Sequence, residues 1–177
     1  MVKNSEFQPL KGATKDRQTV SRDGFFVSSS NIDGVRIIEK SNIITGNGIT
    51  TELFSSNWSE QINPPQHIIQ VVLRANTISA WHCHERQEDH IFTIDGTIKV
   101  VLYDTRPHSP TKGDVNEFVI SFHRPTLLII PPGVWHGIQS MENKDIRFLN
   151  MFNHPYNHEN PDEWRLPVDT NEIPYKF

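Results

Sequence analysis

The sequence predicts an all-β fold, a sandwich or barrel of many short strands. Three observations carry that expectation. Runs of β-branched and aromatic residues recur at strand length from residue 67 onward. Turn residues punctuate them: the 177 residues include 12 Pro and 9 Gly, too many breakers for a helical bundle. Asp95-Gly96 joins two such runs, the strongest short-range signal for a hairpin. The length fits a single domain.

Taken in order, residues 1 to about 30 are polar with little periodicity, and Arg22-Asp-Gly-Phe-Phe reads as a turn entering a short strand. Asn31 to Lys40 reads as a turn followed by a strand, and Gly46-Asn-Gly as a loop. Residues 51–62 fit either a strand or one helical turn, ended by Pro64-Pro65. This divides the chain into an N-terminal arm with edge strands (1–65) and a barrel with a C-terminal lid segment (66–177). Strands are then expected from Ile68, from Thr77 to His84, from Asp89, and from Thr97 to Asp104. Others follow at Asn116 to Phe122, Leu127 to Ile130 and Arg147 to Phe152, with Pro131-Pro-Gly as a turn. Within Thr97 to Asp104, alternation puts Ile98, Val100 and Leu102 on one face, the expected core side.

Composition narrows the function classes. Hydrophobic residues make up 36% and charged residues 21%, and 17 basic against 21 acidic residues give a net charge of -4. There is no basic stripe, which disfavours a nucleic-acid partner. The longest apolar run, Leu127 to Ile130, falls far short of the roughly 20 residues of a membrane helix. The start, Met1-Val-Lys-Asn-Ser-Glu, has no apolar leader, and the one cysteine, Cys83, has no internal partner. A cytoplasmic protein acting away from membranes is expected.

The residues that carry chemistry are histidines. His82 and His84 lie two apart on an expected strand, so their imidazoles share a face, with Trp81 and Cys83 on the other. Asp89 follows, then a distant Pro131-x-Gly133-x-x-His136. His82, His84, Asp89 and His136 form a plausible nitrogen and oxygen set for Zn, Fe, Ni or Mn. The competing reading of the His pair alone is surface decoration or a single catalytic base. Trp135, beside His136, is a candidate for stacking on a sugar or base, and core packing competes with it.

The pattern His82-x-His84-x4-Asp89-x6-Gly96, followed by Pro131-x-Gly133-x-x-His136, resembles the two motifs of the cupin superfamily. Asp89 stands where Glu is usual. That resemblance implies a double-stranded β-helix, or jelly roll, with the site inside the barrel.

Further segments narrow the resemblance. Asp104-Thr-Arg-Pro-His-Ser-Pro-Thr-Lys-Gly113, Ile130-Pro-Pro-Gly-Val-Trp-His-Gly137 and Val168-Asp-Thr-Asn-Glu-Ile-Pro-Tyr175 resemble the dTDP-4-dehydrorhamnose 3,5-epimerase family over about residues 78–175. The resemblance implies an isomerase or epimerase of a nucleotide-activated 4-keto-6-deoxy sugar, in polysaccharide biosynthesis, as a homodimer and without a required cofactor. It implies His82 as the base and Asp169 as the carboxylate behind it. The family's acid is a Tyr six residues before a second Tyr. Tyr156 matches the second, and the first position holds Asn150, which lacks a phenolic proton but has an amide that can donate to an enolate oxygen. Ser79-Ala80 stands where the family has Arg-Gly, Asp89 or His90 where it has Lys, and Arg74 is the candidate substitute for an anion contact. Three readings follow: an epimerase with an altered acid (His84, His90 or His136), a metal-dependent cupin enzyme using His82, His84, Asp89 and His136, and a sugar-binding cupin without catalysis.

Overall fold

The computed structural model describes residues 8–16, 18–22, 31–58 and 62–177. It divides into the segment Met1–Ser30 and a compact unit, Asn31–Phe177. Most of the strand expected after Arg22 lies outside the described residues.

The compact unit holds β1 (Arg36–Glu39), β2 (Ile43–Thr45), β3 (Gly48–Thr50), β4 (His67–Leu73), β5 (Ile78–Cys83) and β6 (Asp89–Asp95). It continues with β7 (Thr97–Asp104), β8 (Val115–Ser121), β9 (Thr126–Ile130), β10 (Val134–Ser140), β11 (Ile146–Phe152) and the two-residue β12 (Trp164–Arg165). One sheet runs β1-β9-β6-β11-β4 and the other β12-β5-β10-β7-β8, while β2 and β3 form a separate hairpin. All pairings are antiparallel. Among its described residues, the ambiguous stretch 51–62 contains one 3-10 turn, Ser56–Trp58. β1, from the segment expected as an arm, is built into the first sheet against β9.

The Asp95-Gly96 hairpin is overturned. β6 pairs with β9 and β11, whereas β7 pairs with β10 and β8, so the two strands lie in different sheets. Asp95-Gly96 is the corner at which the chain crosses between them. Gly96 has φ +84°, and a Cβ there would lie 2.4 Å from Ile146 Cγ2. The dipeptide is needed for its left-handed backbone and close packing, which serve a corner as well as a hairpin.

Between the sheets sits the main core, which includes Ile91, Ile98, Val100, Leu102, Leu128, Ile130 and Phe148. The inward alternation of β7 is as expected. Each sheet also has a covered outer face. Residues Leu53, Phe54, Trp58 and Ile62 cover Phe92, Leu127, Ile129 and Met151. The C-terminal residues Ile173, Tyr175 and Phe177 cover Trp81 and Val101. The family-like segment after β7 is a loop anchor. Buried Asp104 accepts from the backbone N–H of Arg106 (3.0 Å), from its Nε and Nη2 (both 2.9 Å), and from the Ser109 and Thr111 hydroxyls.

Candidate active site

A cavity of about 460 Å³ opens between the two sheets. β4 contributes His67, Ile69 and Val71; β5 contributes Ser79 and His82; and β6, β10 and β11 contribute Asp89, His136 and Asn150. His84, Gln87 and the segment from Tyr156 to Arg165 complete the wall. Inward-facing residues of both sheets therefore converge on it.

His82 is held at both ring nitrogens. Its Nδ1 lies 2.9 Å from Glu163 Oε1 and its Nε2 3.0 Å from Ser79 Oγ. Partial burial favours protonation of Glu163, but the His82 hydrogen bond and Arg165, whose Nη2 is 2.6 Å away, outweigh it and hold the carboxyl below its ordinary range. An ionised carboxylate only accepts, so Nδ1 carries the ring hydrogen and Nε2 presents its lone pair. Burial, with His136 and Arg165 nearby, lowers the His82 pKa despite Glu163. The ring is a neutral base at pH 7.

His84 is the opposite case. Its Nδ1 donates to the Asp162 carbonyl, and its Nε2 lies 3.4 Å from Asp89 Oδ2. Burial opposes its charge, yet the Asp89 carboxylate overrides that and raises the pKa to about 9. Asp89 itself is fully buried, which opposes its ionisation, but His136 and His84 hold it well below the usual carboxylate range. Its Oδ1 accepts from Gln87 Nε2 at 2.6 Å and its Oδ2 from Asn150 Nδ2 at 3.2 Å. His136 faces the same oxygen through Nε2 at 3.2 Å, with Nδ1 against the Val134 carbonyl.

The expected site residues therefore separate into two groups. His82, His84, Asp89, His136, Asn150 and Tyr156 all line the cavity. Asp169, Arg74 and Trp135 do not. The carboxylate behind His82 is Glu163; Asp169 is exposed on the C-terminal segment, where Lys176 Nζ donates to its backbone oxygen. Arg74 is exposed beyond Leu73, at the opposite end of β4 from His67, and is not part of the cavity lining. Trp135 alternates with His136 and packs outward in the cluster around Trp81. His82 also leaves the expected four-ligand set: donor atoms of His84, Asp89 and His136 lie within 4.8 Å of one another, while His82 is engaged elsewhere. The Asn150 amide nitrogen is committed to Asp89, leaving Oδ1 buried without a partner among the described residues, so its free group is an acceptor. His67, Ser79, Gln87, His158, Asp162, Glu163 and Arg165 also line the cavity and were not singled out as site residues from the sequence.

Two antiparallel five-stranded sheets closed around an imidazole-rich cavity define a cupin jelly roll. The chain belongs to the dTDP-4-dehydrorhamnose 3,5-epimerase family, whose model matches residues 29–175 and so reaches well before residue 78. It is 35% identical over 123 residues to a probable low-salt glycan biosynthesis epimerase of Haloferax volcanii, covering 69% of this chain and 79% of that one. It is 37% identical over 100 residues to a spore coat polysaccharide biosynthesis protein of Bacillus subtilis, covering 56% and 66%. Among solved structures, a dTDP sugar isomerase of Desulfovibrio desulfuricans superposes with a TM-score of 0.76 at 25% identity, over 82% of this chain and 91% of that one. A dTDP-4-dehydrorhamnose 3,5-epimerase of Bacillus anthracis shares the fold, with a TM-score of 0.73 at 18% identity over 83% and 86%.

Proposed function

We propose that this chain epimerises a nucleotide-activated 4-keto-6-deoxy sugar in glycan biosynthesis, with His82 as the base. The observation that carries the reading is a neutral imidazole in the wall of a sugar-sized cavity, with an ionised carboxylate fixing its tautomer. A C–H beside a ketone is acidified because its electrons can move to the carbonyl oxygen. His82 Nε2 takes that proton once Ser79 gives way, and Glu163 stabilises the imidazolium that results. The enolate needs a positive partner, and His84, protonated at neutral pH, supplies one on the same wall. Asn150 lines the cavity, and Tyr156 stands near His67 and His158 at its edge. Incubating the protein with dTDP-4-keto-6-deoxyglucose and following the ring protons by NMR tests the reading. Epimeric product is expected, and an unchanged spectrum at high enzyme concentration counts against it.

A second reading rests on one feature of the histidines. Both His84 and His136 spend Nδ1 on backbone carbonyls and aim Nε2 at the same Asp89 oxygen. Such orientation by carbonyls is how metal-bound imidazoles are commonly held, so these three residues would hold a divalent ion, which would supply Lewis acidity toward the ketone. Elemental analysis after gentle purification decides: less than about a tenth of an equivalent of transition metal argues against it.

We also infer a homodimer. β4 is an edge strand of its sheet, and Ile68 and Val72 on its outer face are 56% and 47% exposed. The β2–β3 hairpin likewise exposes Ile43, Ile44 and Ile49. Such edges and patches favour covering by another chain. No helix among the described residues is long and apolar enough to cross a membrane.

A further inference from the structure

The placement of Ser79 is not what a regular strand gives. Ser79 and His82 are three apart on β5, and in an even pleat such residues face opposite ways. The register against β10 shows how they come together. His82 pairs with His136 and Ser79 with Ile138, so three steps along β5 answer two along β10. The extra residue is a bulge. Across it, both Ala80 and Trp81 lie outward in the aromatic cluster, and Ser79 shares the face of His82. Bulges of this kind re-aim side chains beside active sites.

The result is a line of three groups. The Ser79 hydroxyl donates to His82 Nε2 at 3.0 Å, and His82 Nδ1 donates to Glu163 at 2.9 Å. All three line the cavity. A hydroxyl, a base that can take its proton and a carboxylate orienting that base are the parts of an activated nucleophile. Arg165 lines the same space and is paired with the Glu163 carboxylate at 2.6 Å. Epimerisation needs no hydroxyl on the base's lone pair, so this arrangement lies outside the function proposed above and does not depend on it.

We propose that Ser79 is a nucleophile toward short-chain O-acyl esters, making the cavity a site of acyl transfer to water. Ser79 Oγ bonds to the acyl carbon while the ester C–O bond breaks. The serine proton passes through His82 Nε2 to the departing alkoxide. Water, deprotonated by the same nitrogen, then cleaves the acyl-serine, releasing a carboxylic acid and restoring the hydroxyl.

The test uses the full chain with a fluorophosphonate probe, followed by digestion and mass spectrometry, alongside p-nitrophenyl acetate hydrolysis. The adduct is expected on the peptide containing Ser79. Both signals should fall at least about a hundredfold in Ser79→Ala and in His82→Ala, the scale on which members of such a unit act together. Glu163→Gln, which keeps shape and loses charge, should lower them as well. Melting curves confirm that each variant folds. An unlabelled wild-type Ser79, or labelling as fast in His82→Ala as in the parent, overturns the proposal.

Discussion

Glu163 and Asp169 are six positions apart and meet different surroundings. Glu163 lies against His82 Nδ1, while Asp169 is exposed. Replacing Glu163 by Gln removes the charge that stabilises the protonated base, and keto-sugar turnover is expected to fall by about a hundredfold. Asp169→Asn should change it by less than about twofold, since exposed positions without partners at the site carry little. Steady-state kinetics on both variants check the assignment. His84 gives a second expectation. Its folded pKa of about 9 lies above its ordinary value of 6.5. A raised pKa stabilises the fold fully below pH 6.5, and that contribution is lost as pH rises to about 9. The melting temperature should decline across this window, and the decline should flatten in Asp89→Asn, where the charge facing His84 is gone. The pairing of His82 with His84 on one face was legible because strand alternation is local. Glu163 was not, because it is 81 residues away and is carried in by β12, a strand of only two residues.

At the scale of elements, the strands with long β-branched runs were readable, but β10 (Val134–Ser140), β12 and the β2–β3 hairpin, whose Gly48 falls in the stretch read as a loop, were not, and neither were strand partners. Asp95-Gly96 satisfies the backbone needs of a hairpin and of an inter-sheet corner alike, so only tertiary packing distinguishes them. Gly96→Ala tests the corner. The left-handed backbone and the 2.4 Å approach to Ile146 predict a loss of about 1–3 kcal/mol in denaturant unfolding. The β5 bulge was equally hidden, because an extra residue in a ladder leaves no mark in the one-residue alternation of apolar and polar side chains. The motif from Asp104 to Gly113, which carried the family resemblance, anchors the loop after β7. Asp104→Asn should destabilise the protein, because it removes the buried charge facing Arg106 and turns one of the two oxygens that accept three Arg106 bonds and two hydroxyl bonds into a donor. Thermal melts provide the check.

For the whole molecule, the jelly roll explains how distant segments share one cavity. β5 and β10 bring His82 and His136 from one sheet, and β6 and β11 bring Asp89 and Asn150 from the other. The outer faces are covered by Leu53, Phe54, Trp58 and Ile62 and by the C-terminal residues, while β4 and the β2–β3 hairpin are among the features that expose large apolar side chains. Sedimentation should report a dimer, and Ile68→Lys together with Val72→Lys should shift it toward monomer. A monomeric parent protein would remove the inferred interface. The central claim remains that His82 takes a proton from carbon beside a ketone. In deuterium oxide, the wild-type protein should place solvent deuterium at that carbon of dTDP-4-keto-6-deoxyglucose, and His82→Ala should show none above the uncatalysed rate. Deuterium incorporation by His82→Ala at the wild-type rate would contradict the account.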